Sequence, residues 1–224
     1  MCPSWQDTNR GDSRAFRLLG SAAVRRVSVV GTSGVGKSTF ASSLARLLGV
    51  SFLELDSLQH QADWTPLPVE EFRTRVAVVA AGECWVVDGN YSRVQDIVWA
   101  RADTVVWLDL SRRVVMRRIV WRSLWRAAGR TELWNGNRER WRNLFSLDKE
   151  ESVIAWAWQT YGSNRARYEA AMADPAHGHL RFVRLRSAAA VRGFLRSVAD
   201  HPPLTAEDPA SVEDPGNGGC PDPP

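Results

Sequence analysis

Residues 31–38 carry the feature that most limits what this chain can fold into. An apolar run, Val27–Val30, leads into GTSGVGKS, which fits the pattern G-x-x-x-x-G-K-[ST]. Apolar residues then recur at helical spacing, at Phe40, Leu44 and Leu47. A strand, a glycine-rich loop and a helix in this order are the context in which the pattern predicts a phosphate-binding loop. The alternative is a glycine-rich turn that joins a strand to a helix and binds nothing.

Each polar group of the predicted loop has an expected contact with phosphate or Mg²⁺. Its glycines let successive backbone N–H groups turn inward around phosphate oxygens, and the following helix points its positive end at the same anion. Lys37 is expected to reach the β- and γ-phosphates, which makes it a catalytic residue, and the Ser38 hydroxyl is an expected ligand of Mg²⁺. We therefore expect ATP and Mg²⁺ as cofactors. The predicted cofactor-binding residues are Gly31, Ser33, Gly34, Val35, Gly36, Lys37, Ser38 and Thr39.

Length and composition predict one globular α/β domain with tails. The chain has 224 residues, of which 44% are hydrophobic, enough for a sizeable core. No apolar run approaches the length needed to span a membrane, and the N-terminus lacks the apolar core of a signal peptide. The three cysteines form no metal-ligand spacing, and Cys84 opens an apolar strand, where a buried thiol is expected. We expect a cytoplasmic protein without membrane contact, disulfides or structural zinc.

Charge is unevenly distributed along the chain. The net charge is +4, but residues 200–224 hold six acids and no Lys or Arg, so residues 1–199 carry +10. Of the 29 basic residues, 27 are arginines. Arginine binds phosphate through two parallel hydrogen bonds, so this composition suits an anionic ligand. A general bias towards arginine at solvated positions is the alternative.

Strands alternate with helices, which predicts a parallel sheet covered on both faces. We expect an α/β domain over residues 24–199, after a flexible segment at 1–23 and before a disordered acidic tail at 200–224. A loop broken by two prolines is expected at 57–68. The predicted strands are 25–31, 51–55, 84–90, 104–109 and 179–186. The predicted helices are 37–48, 69–81, 91–101, 111–128, 152–173 and 188–199.

Three acids, Asp56, Asp88 and Asp109, follow predicted strands, and in parallel sheets ligands bind beyond the carboxyl ends of the strands. Asp88 is the predicted acid of the Mg²⁺ shell, at the end of a strand expected beside the first one; a turn acid in Asp-Gly-Asn is the alternative. Asp56 is the predicted catalytic residue that orients or deprotonates the acceptor, with helix capping as the alternative. For Asp109 the structural interpretation is favoured.

Arginine is densest at residues 111–142, which hold ten arginines against two acids. Arg118, Arg122 and Arg126 recur every four residues, so they share one helix face, where like charges repel unless an anion lies between them. A transferring phosphoryl group would be such an anion. The predicted catalytic arginines are Arg122, Arg126 and Arg130, with Arg165 and Arg167 able to complete a clamp. A solvated arginine face is the alternative.

These segments together resemble the P-loop kinases of the nucleoside monophosphate kinase type. Within that group they are similar to bacterial proteins labelled "DNA topology modulation protein" or "adenylate kinase-related". The resemblance spans about 25–175 and rests on the loop at 31–39, on LDSL with His60 and Trp64, on WVVDGNY at 85–91 and on ADTVVWLD at 102–109. It implies a five-stranded parallel core, a three-layer α/β/α fold, ATP with Mg²⁺, and a helical arginine-rich lid at about 118–148.

The predicted function is transfer of the ATP γ-phosphoryl group to a small acceptor, with nucleotides among the candidates, by a monomer or homodimer. Two departures weaken an AMP assignment: only Tyr91-Ser-Arg93 partly matches the nucleotide-binding pattern of adenylate kinases, and the lid has no cysteine zinc site. The first alternative is a regulatory or nucleic-acid-binding ATPase whose arginines and tryptophans follow a phosphate backbone. This alternative is less favoured, because the basic cluster lies beside the predicted loop. The second is a nucleotide-dependent interaction module without catalysis.

Overall fold

Five parallel strands form a single sheet in the computed structural model of the chain. The structure describes residues 24–61, 65–129 and 153–200, with the backbone alone at 123–129 and 153–157. The strands are β1 (Arg26–Gly31), β2 (Ser51–Glu54), β3 (Trp85–Asp88), β4 (Thr104–Leu108) and β5 (Arg181–Leu185). Their order across the sheet is β2-β3-β1-β4-β5, and every neighbouring pair is parallel. The strand that enters the glycine loop therefore lies at the centre of the sheet.

Helices connect the strands. In chain order they are α1 (Lys37–Leu48), α2 (Leu55–Gln59), α3 (Val69–Ala80), α4 (Ser92–Arg101), α5 (Arg112–Gly129), α6 (Val153–Ala173) and α7 (Ala188–Asp200). A 3₁₀ turn at Pro175–His177 follows α6. Helix α1 ends at Gly49, whose φ of 66° is the left-handed conformation typical of a C-terminal cap.

Successive side chains of β1 point to opposite faces of the sheet, so the core has two layers. Val27 and Val29 pack with α1, α5 and α7, where Leu44, Ile119 and Phe194 are fully buried. Val30 faces the other side and packs with α3, α4 and α6. The central strands are apolar on both faces, as parallel strands between two helical layers must be.

The three-layer α/β fold and the five-stranded parallel sheet predicted from the sequence are confirmed. Strand β3 lies beside β1, as expected for the strand that carries Asp88. Residues 1–23 and 201–224, and residues 130–148 of the proposed lid, lie outside the described residues, and Asp200, assigned to the tail, is the last residue of α7.

Two local predictions are wrong. The chain turns into helix α2 at Leu55, so Asp56 lies in the first turn of a helix rather than directly after a strand, and residues 57–59 are helical rather than loop. Cys84 is exposed and not buried, because β3 begins one residue later, at Trp85.

Candidate active site

The loop between β1 and α1 adopts a backbone that requires glycine at two positions. Gly34 has φ 77° and Gly36 has φ 99°, both in the left-handed region. A Cβ on Gly34 would lie 2.0 Å from Cγ1 of Ile119, so α5 packs directly against the loop. Val35 is buried at the centre of the loop, and its N–H donates to the Thr32 carbonyl at 3.2 Å. The turn is therefore fixed from inside, by its own backbone and by α5.

The N-terminus of α1 faces the mouth of this loop. The helix begins at Lys37, and no acidic residue occupies its first turn, so its positive end is not neutralised from within the helix. The Lys37 ammonium lies 3.5 Å from the Thr32 carbonyl oxygen, which places the charge beside the loop. Thr39 is exposed on the same first turn. Backbone N–H groups, a helix terminus and a lysine thus converge on a place suited to phosphate.

The Ser38 hydroxyl lies between two carboxylates. Its Oγ is 2.6 Å from Oδ2 of Asp88 and 2.6 Å from Oε1 of Glu54. A hydroxyl carries one proton, so it donates to only one carboxylate at a time. The second short oxygen–oxygen contact requires another proton or a cation. The donor set, with a hydroxyl and two carboxylates, is the hard oxygen chemistry that Mg²⁺ prefers.

Asp88 is strongly desolvated at this place. Burial raises its pKa to about 6, with smaller raising effects from Asp56 and Glu54; Lys37 and the hydrogen bond from Ser38 act in the opposite direction. Its Oδ1 is buried and accepts no hydrogen bond from any described residue. A buried carboxylate oxygen without a donor is costly unless a cation pairs with it. Ser38 and Asp88 therefore fit the Mg²⁺ site predicted from the sequence, with Glu54 as an added acid.

Asn90 fixes the start of the loop to the end of β3. Its Oδ1 accepts from the Gly31 N–H at 3.1 Å, and its Nδ2 donates to the Gly31 carbonyl at 2.5 Å. The Tyr168 hydroxyl, from α6, also donates to Asn90 Oδ1, at 2.9 Å, and Arg167 donates to the Tyr168 hydroxyl at 2.7 Å. The side-chain amide thus pairs with both the backbone N–H and the backbone carbonyl of Gly31, as a neighbouring strand residue would.

Asp56 belongs to a second polar cluster, next to the first. The Tyr91 phenol donates to Asp56 Oδ1 at 2.6 Å, and His60 Nε2 lies 3.4 Å from the phenol oxygen. Phe72 packs edge-to-face against the Tyr91 ring at 5.3 Å between centroids. The Asp56 carboxylate comes from α2, the His60 imidazole from the C-terminal end of α2, and the Tyr91 phenol from the segment after β3. Two distant segments of the chain therefore meet here.

Arg118, on α5, contacts the loop. Its Nη1 donates to the Val35 carbonyl at 2.7 Å. Arg122 lies one turn further along the same helix and is half-buried. The side chain of Arg126 and all of Arg130 lie outside the described residues, so their proposed role stays a prediction.

The two arginines of α6 have different surroundings. Arg165 forms ion pairs with Asp109 at 3.7 Å and with Glu169 at 3.3 Å. Asp109 itself is buried and also binds Arg184 at 2.6 Å, which gives it a structural environment. Arg167 instead donates to the Tyr168 hydroxyl, beside Asn90.

Sequence reasoning missed Glu54 and Asn90 and ranked Arg118 below its neighbours. Glu54 is the register partner of Asp88 on adjacent strands, so the signal was that both strands end on an acid at the same level. The signal for Asn90 was its place directly after the Asp-Gly pair that ends β3. No comparable signal in the sequence distinguishes Arg118 from Arg122.

Two kinds of feature are absent from the described part of the chain. No cluster of three or more His, Cys, Asp or Glu side chains with metal-binding geometry occurs among residues 24–61, 65–122 and 158–200. No helix in the described ranges combines the length and the apolar character needed to cross a bilayer.

Comparison with known proteins found similar structures and no relatives by sequence. No protein-family model and no curated protein matches the chain. A gluconokinase from Sinorhizobium meliloti is 18% identical over 80% of this chain and 91% of its own, with a TM-score of 0.46. A shikimate kinase from Bacteroides thetaiotaomicron is 15% identical over 79% of this chain and 97% of its own length, with a TM-score of 0.48. A sugar kinase from Janibacter sp. is 19% identical over 80% of this chain and 96% of its own length, with a TM-score of 0.42. Similarities at this level carry no information about the substrate of this chain.

Proposed function

We propose that the protein is a kinase that transfers the γ-phosphoryl group of Mg·ATP to a small molecule. The observation that carries the proposal is the position of Ser38 Oγ, 2.6 Å from both Asp88 and Glu54 at the start of α1. That arrangement accommodates a cation, and it lies directly beside a loop suited to phosphate. A cation and a triphosphate bound together satisfy both requirements.

Each part of the chain then has a defined contribution. The backbone N–H groups of the loop and Lys37 hold the β- and γ-phosphates and offset the charge that develops between them. Ser38 and Asp88 would hold Mg²⁺, which supplies charge neutralisation across the phosphates when it is bound. Asp56 orients the acceptor and accepts its proton. Arg118 fixes the loop through the Val35 carbonyl, and Arg122, Arg126 and Arg130 complete the cage from a lid at about 118–148.

The cluster around Asp56 supports an acceptor-dependent enzyme over a simple ATPase. A carboxylate held by the Tyr91 phenol beside His60 is a second polar site, adjacent to the phosphate loop and not required for binding ATP. An enzyme of this kind works where ATP is made, so the proposed location is the cytoplasm.

Turnover measurements test the proposal. ADP release from Mg·ATP should rise when an acceptor is added, and Lys37→Ala should abolish it while Arg46→Ala, an exposed cation at the far end of α1, retains it. Failure to bind Mg·ATP, or fast ATP hydrolysis that no acceptor stimulates, would contradict the proposal. Salt-dependent retention on DNA or RNA with nucleic-acid-stimulated hydrolysis would instead favour the regulatory ATPase.

A further inference from the structure

Carboxylates lie around the Tyr91 phenol on the acceptor side of the candidate site. Tyr91 lies half-buried between Phe72 and Asp56. Burial and the Asp56 carboxylate raise the pKa of the Tyr91 phenol well above its ordinary value, and the Asp88 and Glu54 carboxylates raise it further. Three carboxylates therefore act on one phenol.

Two described arginines on the neighbouring helices α3 and α6 are directed at other groups. Arg73, on α3, is paired with Asp96 at 2.7 Å. Arg167 is directed at the Tyr168 hydroxyl and lies 3.5 Å from the Asn90 carbonyl oxygen. Neither guanidinium contacts Asp56 or Tyr91. Among the described residues, the polar side chains that contact one another in this cluster are a carboxylate, a phenol and an imidazole.

One oxygen of Asp56 remains available to an acceptor. Oδ1 accepts the Tyr91 proton, and no described residue donates to Oδ2. An ionised carboxylate oxygen attracts a hydroxyl, which brings a proton, and repels a phosphate dianion, which brings only further negative charge. The same geometry that favours a neutral O–H group therefore disfavours a phosphate as the reacting group.

We propose, on the basis of the proposed kinase function, that the reacting group of the acceptor is a hydroxyl and not a phosphate, received by Asp56 while Tyr91 positions that carboxylate. The product is a phosphate monoester and not a nucleoside diphosphate. Tyr91 is a positioning residue, since it acts through Asp56.

The proposed transfer exchanges one bond at phosphorus for another. The acceptor oxygen forms a bond to the γ-phosphorus as the bond from that phosphorus to the β,γ-bridging oxygen breaks, and ADP leaves with the bonding pair. The hydroxyl proton moves to Oδ2 of Asp56 and is later released to water. No oxidant, reductant or further co-reactant is required.

Matched acceptors separate this inference from the proposed function. Adenosine, cytidine, guanosine and uridine, with D-ribose and glycerol, form one set, and the four nucleoside 5′-monophosphates form the other. A deproteinised cell extract, used directly and after treatment with alkaline phosphatase, covers acceptors outside both sets. We expect acceptor-stimulated ADP release with a new monoester resonance in the ³¹P spectrum and no new diphosphate resonance besides those of ADP.

Each other outcome has a defined meaning. Stimulation by the monophosphates alone, with diphosphate resonances and loss of activity after phosphatase treatment, overturns this inference and leaves the kinase function standing. No stimulation by any acceptor or extract removes both.

A pair of tyrosine variants tests the position of Asp56. Tyr91→Phe keeps the ring contact with Phe72 and removes the hydroxyl, so kcat with the hydroxyl acceptor should fall about tenfold or more while KM for ATP changes less than about twofold. Tyr161→Phe removes a hydroxyl that donates to the Leu110 carbonyl at 3.0 Å, away from the cluster. This variant should have the kcat and the KM for ATP of the parent. Equal effects of the two variants would overturn the role of Tyr91.

Discussion

Glu54 and Asp88 are register partners on the neighbouring strands β2 and β3, and each is the last residue of its strand. Parallel pairing brings the two carboxylates to the same level of one sheet edge, where the hydroxyl of Ser38 lies between them. A pair of like charges this close is unfavourable without a cation or a proton. The strand register therefore places beside the glycine loop two carboxylates that the loop itself does not contain.

Glu54→Gln should weaken the response to Mg²⁺ without unfolding the protein. The amide keeps the shape of the side chain but removes one of the two charges that face Ser38. Residues that support metal ligands typically contribute 10–100-fold in affinity. We expect the Mg²⁺ concentration for half-maximal ADP release to rise by about tenfold at a fixed ATP concentration. Glu83→Gln, at an exposed position before β3, is the control, and an unchanged Mg²⁺ requirement in Glu54→Gln would contradict the assignment.

Asp88→Asn should stabilise the metal-free protein, and more so at high pH. Because burial raises the folded-state pKa of Asp88 from 3.8 to about 6, the wild type loses stability as pH rises through this range, while the variant does not. The free energy of unfolding of the variant, relative to that of the wild type, should rise by about 2 kcal/mol between pH 4.5 and pH 8. Urea unfolding in EDTA at these two pH values measures this difference.

The same variant should lose its response to ligand. Mg·ATP should raise the melting temperature of the wild type and leave that of Asp88→Asn unchanged, because the variant lacks the carboxylate proposed to hold Mg²⁺. If the difference in free energy of unfolding between Asp88→Asn and the wild type does not change with pH, the desolvation of Asp88 is contradicted. Asp200→Asn, exposed at the end of α7, should show no such pH dependence.

Local patterns in the sequence were enough to predict the loop and the sheet. Residues 27–48 contain a strand, a loop and a helix in one contiguous stretch, so the prediction required no knowledge of distant contacts. Asp88 was identifiable because β3 is a continuous apolar run that ends on an acid. These are signals that chain neighbours carry.

The remaining site residues depend on contacts between distant segments. Glu54 matters only because β2 pairs with β3 in one particular register, and Asn90 only because β3 pairs with β1. Arg118 and Arg122 occupy equivalent helical positions, and only the crossing of α5 over the loop brings Arg118 to the Val35 carbonyl. Strand register and helix crossing depend on packing between segments that are distant in the chain, so a local pattern does not identify these residues.

Gly34→Ala should destabilise the protein through the loop. The new Cβ would lie 2.0 Å from Cγ1 of Ile119, and φ at this position is 77°, which a residue with a side chain adopts at a cost. We expect a loss of about 2–4 kcal/mol in the free energy of unfolding, from overpacking and backbone strain together. Urea unfolding measures this loss.

A glycine inside a helix provides the control for Gly34. Gly162 lies in α6, and nothing lies within 4 Å of the place that a methyl group would occupy there, so Gly162→Ala should stabilise the protein by about 1 kcal/mol. Adding Ile119→Ala to Gly34→Ala should relieve the clash in the loop and leave the backbone strain. Equal stability of Gly34→Ala and the parent would contradict the contact with α5.

Asp109→Asn should reduce stability while leaving nucleotide binding intact. The Asp109 side chain is 4% exposed and accepts from Nε and Nη2 of Arg184 at 2.8 and 2.6 Å. Removing its charge leaves the Arg184 guanidinium with the exposed Glu169 carboxylate, at 2.8 Å, as its remaining described ion pair, at a cost of about 1–3 kcal/mol. Because these contacts lie between β4, β5 and α6, the Kd for Mg·ATP of the folded variant should stay within about twofold of the parent. Asp96→Asn breaks an exposed pair with Arg73 and should leave the urea midpoint unchanged. A tenfold loss of ATP affinity in Asp109→Asn would instead place this carboxylate in the active site.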